Sequence, residues 1–312
     1  MNLYSPRNRW HNHWIWTDWR QKGLPTFLQT NLKGTYSMGE QAKAYHLSPE
    51  ELRQVQLIEL EMLAEVDRIC KKHNIKYCII AGTLLGAVRH GGFIPWDDDL
   101  DIALLRPEYE KFRKVCETEL DTERFYFQDH RNTPGYRWGY GKLRRKGTKF
   151  VRLNQEHMPY EQGIFMDIFP LDSVPSSRLG RTFRNIQCFL YRKAFWSAVG
   201  RLSGKSRLQR FVYGLLYRIP EKKLYRSFDR YVEKCNRNQT DWVRILTFPT
   251  PNKEYGYLRR WYEDLADTRF EDSVFPGIRD FDEYLSFKFG DYMRLPPPEQ
   301  RKTHPVSELK LV

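Results

Sequence analysis

The sequence of 312 residues contains no uninterrupted apolar run near the roughly 20 residues that a bilayer-spanning helix needs, so no such span is expected. The stretch Met1 to Arg20 lacks the apolar core and small-residue cleavage site of a secretory signal. The protein is therefore expected to stay in the cytoplasm, free or held at the inner face of the cell membrane. Cysteine is sparse. Cys70, Cys78, Cys116, Cys188 and Cys235 are odd in number and form no C-x-x-C pair, which argues against a disulfide framework or a zinc site and for reduced thiols. Internal repeats and low-complexity tracts are missing too, while 15% aromatic and 40% hydrophobic residues suffice to offset chain entropy, so disorder is not expected. Acids are scarce in one place above all: from Arg178 to Lys234 fifteen Lys or Arg face three acids, and this segment holds a net +12 of the chain's +13.

Four divisions follow: an aromatic N-terminal arm over 1–46, rich in tryptophan (Trp10, Trp14, Trp16, Trp19); a core over 47–175; a basic helical part over 176–240; and a C-terminal segment over 241–312 packing on the core. Ser48, Pro49 and Glu51 read as N-cap, first-turn proline and capping-box acid. Leu52, Val55, Ile58, Met62, Val66 and Ile69 then recur at helical steps to about His73. Tyr77 to Ile80 reads as a short strand, Ala81-Gly82-Thr83 as a tight turn, and Leu84 to Arg89 as a helix. Gly91, Gly92 and Pro95 break the chain before a strand over Asp99 to Leu105, and Pro107 opens a helix through Leu120. Further strands are expected at Phe125 to Gln128, Trp138 to Leu143 and Ile164 to Phe169. Strands interleaved with helices predict an α+β class: a mixed sheet with helices packed on it, followed by the basic helical segment.

The chemistry concentrates in Pro95-Trp96-Asp97-Asp98-Asp99-Leu100-Asp101-Ile102. In an extended chain alternate side chains share a face, so Asp99 and Asp101 point together, about 7 Å apart, while Leu100 and Ile102 turn inward. Paired carboxylates of this kind suit Mg²⁺ or Mn²⁺, hard cations that prefer oxygen; a solvated acidic turn is the plain alternative. Sixteen residues before Asp99, Gly82-Thr83 at a helix start would let backbone N–H groups approach a phosphate. Asp167 interrupts the apolar Gly163-Ile164-Phe165-Met166-Asp167-Ile168-Phe169-Pro170, where an unpaired carboxylate is costly unless a cation, a donor network or a proton compensates it. A strand-end cap is its bland reading.

The run I-A-G-T-L-L-G-A-V-R-H-G-G-F-I-P-W-D-D-D-L-D-I-A, with G-I-F-M-D-I-F-P-L-D and the late F-D-E-Y-L-S-F-K-F-G-D-Y-M-R-L-P-P-P-E-Q-R-K-T-H, resembles the LicD family over roughly residues 48–310. That family includes bacterial phosphocholine transferases of surface glycans and is similar to the catalytic regions of fukutin and fukutin-related protein. The resemblance implies a nucleotidyltransferase fold, a divalent metal and a CDP-activated donor such as CDP-choline. It also implies a glycan or lipid-linked glycan acceptor, as in lipopolysaccharide or teichoic acid modification. It places the glycine turn at Gly82 and Thr83, and the catalytic and metal-binding acids at Asp99, Asp101 and Asp167. Ala81 departs from the pattern, standing where the family usually has a further glycine.

Other candidates are two-sided. Arg89, with His90, is either a phosphate contact or a solvated helix-end charge. Lys142 and Arg144 bind nucleotide phosphate or form an ordinary exposed face. Trp96, with Tyr136, Trp138 and Tyr140, offers an aromatic cage for a quaternary ammonium, or else core. His304 either reaches the active site or, as a lone His late in the chain, is incidental, and His11 and His13 read as surface residues. The basic segment 178–234 suits the interface of an anionic membrane, or forms a helical bundle with its own aromatic core. A glycosyltransferase using D-x-D and a nucleotide sugar is the rival enzyme. A non-catalytic membrane- or nucleic-acid-binding protein is the rival of another class, although no nucleic acid is expected.

Overall fold

Helix α1 (Pro49–His73) begins where Ser48 and Glu51 cap one another: Ser48 Oγ accepts from the Glu51 N–H at 3.2 Å, and Glu51 Oε2 accepts from the Ser48 N–H at 2.8 Å. It ends at Asn74, left-handed at φ 49°, whose N–H closes on the last turn. The computed structural model describes residues 44–250 and 252–312. Trp10, Trp14, Trp16 and Trp19, with His11 and His13, lie outside them.

After α1 come β1 (Cys78–Ile79), α2 (Ala81–His90), β2 (Asp101–Leu105), α3 (Arg106–Glu119), β3 (Phe125–Gln128), β4 (Gly141–Arg145), β5 (Lys149–Arg152) and β6 (Phe165–Val174). The sheet runs β1-β2-β6-β4-β3; β2 and β6 are parallel and the other neighbours antiparallel. All of β6 is buried, because its first half lies between β2 and β4 and helices cover it. Its last residues pair with β7 (Trp242–Arg244), which pairs with β8 (Tyr257–Leu258). The class is α+β, consistent with a nucleotidyltransferase-like fold.

Helices α4 (Arg178–Ser203), α5 (Arg207–Tyr217) and α6 (Glu221–Asn236) fill the basic segment. Leu224, Tyr225 and Phe228 of α6 pack with Cys188 and Phe195 of α4 and with Val174, forming an apolar cluster of their own. Chain continues through α7 (Arg260–Glu263), β9 (Leu265–Phe270), β10 (Ser273–Ile278), α8 (Phe281–Phe289) and β11 (Val306–Lys310). Trp261, Phe270, Phe275, Ile278 and Tyr284 join the main core with Val55, Met62 and Ile102. Antiparallel pairing of β11 with β5 returns the end of the chain to the sheet side.

Several boundaries differ from the sequence expectation, among them the strand expected over Ile164 to Phe169, which runs as Phe165–Val174 because its last residues pair with β7. The strand expected from Asp99 starts at Asp101, because Asp97 is held in a turn by its N–H on Ile94 O at 2.9 Å and by Gln56 Nε2 on its own carbonyl at 2.9 Å. The helix expected after Thr83 starts at Ala81. The strand expected over Trp138 to Leu143 covers Gly141–Arg145, where the ladder with β6 holds it. All five cysteines are buried and free of disulfides, as anticipated. Among the described residues no helix is long and apolar enough to cross a membrane.

Candidate functional site

The parallel ladder between β2 and β6 sets Asp101 directly beside Asp167. In parallel strands, residues in register put their side chains on the same face, so these two acids share one side of the sheet. The Asp167 N–H donates to Leu100 O at 2.9 Å, and this carries the pairing one step beyond β2. Asp101 is fixed from behind, since its N–H donates to Thr83 Oγ1 at 2.8 Å. Thr83 is thus buried as a strut between α2 and β2. Gly82 answers a different demand: a Cβ there would lie 2.7 Å from Asp97 Oδ2, so only glycine lets that carboxylate sit against the first turn of α2. Ala81 takes φ 51°, a left-handed backbone that disfavours a side chain. A glycine would fit this position without strain.

The acids press on one another. Burial, then the charges of Asp99 and Asp98, push the Asp97 carboxyl well above its usual range. Burial, then Asp99 and Asp167, raise that of Asp101, against the opposing pull of Lys288 and Lys142. Burial would also raise Asp98, but hydrogen bonds from His304 and the charge of Arg152 hold it below the ordinary value. His304 donates its N–H to Asp98 Oδ2 at 3.0 Å, and its Nδ1 lies 2.8 Å from Asp98 Oδ1 and 3.7 Å from Asp99 Oδ2. Glu59 of α1 is buried, its Oε2 has no partner among the described residues, and burial followed by Asp99, Asp98 and Asp97 drives its carboxyl strongly upward.

Three cations stand by these acids. Lys142 of β4 is paired across the ladder with Asp167 and ion-pairs with it. Burial lowers the Lys142 ammonium to about 8, even against the attraction of Asp167. The Lys288 ammonium of α8 donates to Tyr257 Oη at 3.2 Å. Arg152 reaches within 3.9 Å of Asp99, while its Nε has no acceptor among the described residues.

Lys142 and Arg144 are both buried, which removes the exposed-face alternative. Arg144 donates to Gln128 Oε1 at 2.6 Å and to Gly163 O at 2.7 Å. Arg89 donates to Tyr292 O at 2.8 Å. Trp96 is half-buried with the Arg301 guanidinium 4.9 Å over its ring. Tyr136 is wholly buried and donates to Tyr140 O at 3.0 Å, and Trp138 Nε1 donates to Tyr160 Oη at 3.0 Å, so both serve packing.

Glu59, Arg152 and Lys288 were not singled out in the sequence, although Glu59 carried a signal; His304, read there as active-site or incidental, lies against Asp98. Glu59 falls on the apolar stripe of α1 with Val55, Met62 and Val66, where a carboxylate is out of place. The cluster lines neither of two surface hollows, of about 460 and 720 Å³, whose walls carry Arg178 and Thr182 or Tyr126 and Tyr160. It reaches solvent through Asp99 and His304, with side chains 24% and 33% exposed.

Whether these residues fit a divalent cation is decided by their donors. Among the described residues no three His, Cys, Asp or Glu side chains close into a cage. What the site offers is the carboxylates of Asp101 and Asp167 on one face of the sheet, with the charge of Asp99 adding to a repulsion that a cation would relieve. Such a set suits Mg²⁺, which keeps several waters and completes its sphere with substrate phosphate.

Residues 74–197 match the family described as LicD/FKTN/FKRP, nucleotidyltransferase domain. Lipopolysaccharide cholinephosphotransferase LicD of Haemophilus influenzae is 28% identical over 265 residues, which cover 82% of this chain and 97% of that protein. An uncharacterized protein of Rickettsia typhi is 43% identical over 75 residues, 24% of this chain and 23% of its own. Another from Rickettsia prowazekii is 44% identical over 69 residues, 22% of this chain and 24% of its own.

Proposed function

We propose, from the resemblance of this chain to the LicD family, that it moves a phospho-alcohol, phosphocholine foremost, from a CDP-activated donor to a hydroxyl of a cell-surface glycan or its lipid-linked precursor, releasing CMP. One observation supports this reading above the others: Asp101 and Asp167 lie in register on parallel strands, with the Thr83 hydroxyl bracing the first and Lys142 pairing the second.

The acceptor oxygen forms a bond to the distal phosphorus of the donor, the bond from that phosphorus to the CMP oxygen breaks, and the hydroxyl proton passes to a carboxylate. Asp167 is suited to receive it, with Lys142 orienting its carboxylate. The Gly82 and Thr83 N–H groups lie in the first turn of α2, where amides lack intrahelical acceptors and the helix end favours negative charge. Arg152, whose Nε has no acceptor among the described residues, adds a charge-assisted donor for phosphate beside Asp99. A divalent ion held by Asp99, Asp101 and Asp167 would supply Lewis-acid stabilisation of phosphate charge and lower the acceptor's pKa.

Incubation with CDP-choline, CDP-ribitol and UDP-sugars, with a glycan acceptor and Mg²⁺, tests this. CMP release from CDP-choline is expected, with Asp101→Asn and Asp99→Asn each reducing it about 10²–10³-fold. UDP release instead would identify the D-x-D glycosyltransferase, and variants of normal activity would remove the assigned acids.

A further inference from the structure

The basic segment divides into a buried part and an exposed part. Tyr225, Phe228 and Tyr231 of α6 are core. On α4, by contrast, Leu179, Phe183, Ile186 and Leu190 follow one another at helical steps of four, three and four, and all four are exposed, Leu179 to 70%. On α5 the same happens with Leu208, Phe211 and Leu215, exposed to 72%, 63% and 46%. The inner side of this helix pair is closed tightly, since a Cβ on Gly200 of α4 would lie 2.5 Å from Tyr213 of α5. Lys193 ties the two helices, its ammonium 5.2 Å from the centre of the Phe189 ring and donating to Tyr213 Oη at 3.1 Å. The apolar stripes are therefore outer faces, left over after the helices have packed. Scattered exposed apolar residues are ordinary, but rows at helical spacing on adjacent helices are not.

Charge identifies the occupant. Of the fifteen Lys and Arg between Arg178 and Lys234, only Arg178 and Arg181 stand within 4.0 Å of a carboxylate among the described residues, both at Glu254. A second copy of this chain would bring two such positive faces together. A nucleic acid would neutralise the charge but has no use for rows of aliphatic Leu and Ile. A surface both anionic and apolar underneath satisfies both features.

We propose that the outer faces of α4 and α5 dock on an anionic lipid bilayer, Leu208, Phe211 and Leu215 entering the acyl boundary while Arg207 and Arg218 meet the headgroups. The inference stands apart from the reaction and needs no active site.

The test is co-sedimentation of the full chain with vesicles of phosphatidylcholine alone or with phosphatidylglycerol added. Binding is expected on the anionic vesicles only, weakened by salt. Leu208→Glu with Phe211→Glu should lower it at least tenfold, and Arg207→Gln with Arg218→Gln by about fivefold per charge removed. Because all four residues are exposed, an unchanged thermal transition confirms that the variants fold. Several results would overturn the proposal. One is equal affinity for neutral and anionic vesicles, and another is undiminished binding by the Glu variant. A third is a dimer in solution that the Glu variant dissociates, which would assign the face to a second copy. Displacement from vesicles by RNA at stoichiometric concentration would assign it to nucleic acid.

Discussion

Replacing Glu59 by methionine should stabilise the protein and disable it at once. The Glu59 side chain is buried on the core-facing stripe of α1 between Val55 and Met62, with Oε2 unpartnered among the described residues. An unsatisfied buried polar atom costs about 1–3 kcal/mol, and methionine occupies similar volume without that atom. Taking about 2 kcal/mol, and roughly 2–4 °C per kcal/mol, Glu59→Met should raise Tm by about 6 °C. The gain has a pH signature. Burial and the charges of Asp99, Asp98 and Asp97 raise the Glu59 carboxyl above the 4.5 of an unfolded chain. Wild-type stability from this group is thus complete below about 4.5 and declines as pH rises toward the folded value. The variant lacks that decline, so its advantage should widen between pH 4.5 and 7.5. If the carboxyl supports the acid cluster, turnover should fall at least tenfold alongside the gain, a trade of activity against stability. Differential scanning calorimetry at both pH values, with the donor assay, measures all three. A lower Tm would show that Glu59 holds the fold together, and a pH-independent gain would refute the electrostatic account.

Ala81→Gly should relieve a left-handed backbone worth roughly 1–2 kcal/mol while adding about 0.5–1 kcal/mol of unfolded-chain freedom, for a small net rise in Tm; calorimetry that finds a clear loss would contradict the strain. Mg²⁺ or Mn²⁺ should raise Tm more at pH 7.5 than at pH 5, because Asp97 and Asp101 hold protons to unusually high pH and a cation must displace them. Asp99→Asn with Asp101→Asn should erase that difference. Lys142 has its ammonium lowered to about 8, so activity that needs it charged should fall as pH rises through that value. Lys142→Arg, charged throughout, should lose that limb of the pH profile if the longer head still reaches Asp167.

The legible parts of the sequence were local. Ser48 and Glu51 announced α1 because a capping box lies within one turn, and Phe125 to Gln128 was read to the residue as β3. Boundaries slipped where a distant group intervened: Asp99 stays outside β2 because Gln56 of α1 holds the turn before it. The basic segment was read as either membrane surface or helical core, and the structure assigns its parts differently, with Tyr225 and Phe228 inside and Leu208 and Phe211 outside. Helical spacing alone marks an apolar stripe without saying what covers it.

By itself, the sequence determined which residue types cluster at Asp97 to Asp101, that an acid interrupts the apolar run at Asp167, and where positive charge accumulates. Tertiary structure alone decided that β2 runs parallel to β6 with Asp101 beside Asp167, that Lys142 rather than solvent faces Asp167, and that Glu59 and His304 come to the same acids. The reason is physical: periodicity and capping act over a few residues, whereas strand order and the return of β11 to β5 are set by how the whole chain buries its apolar faces.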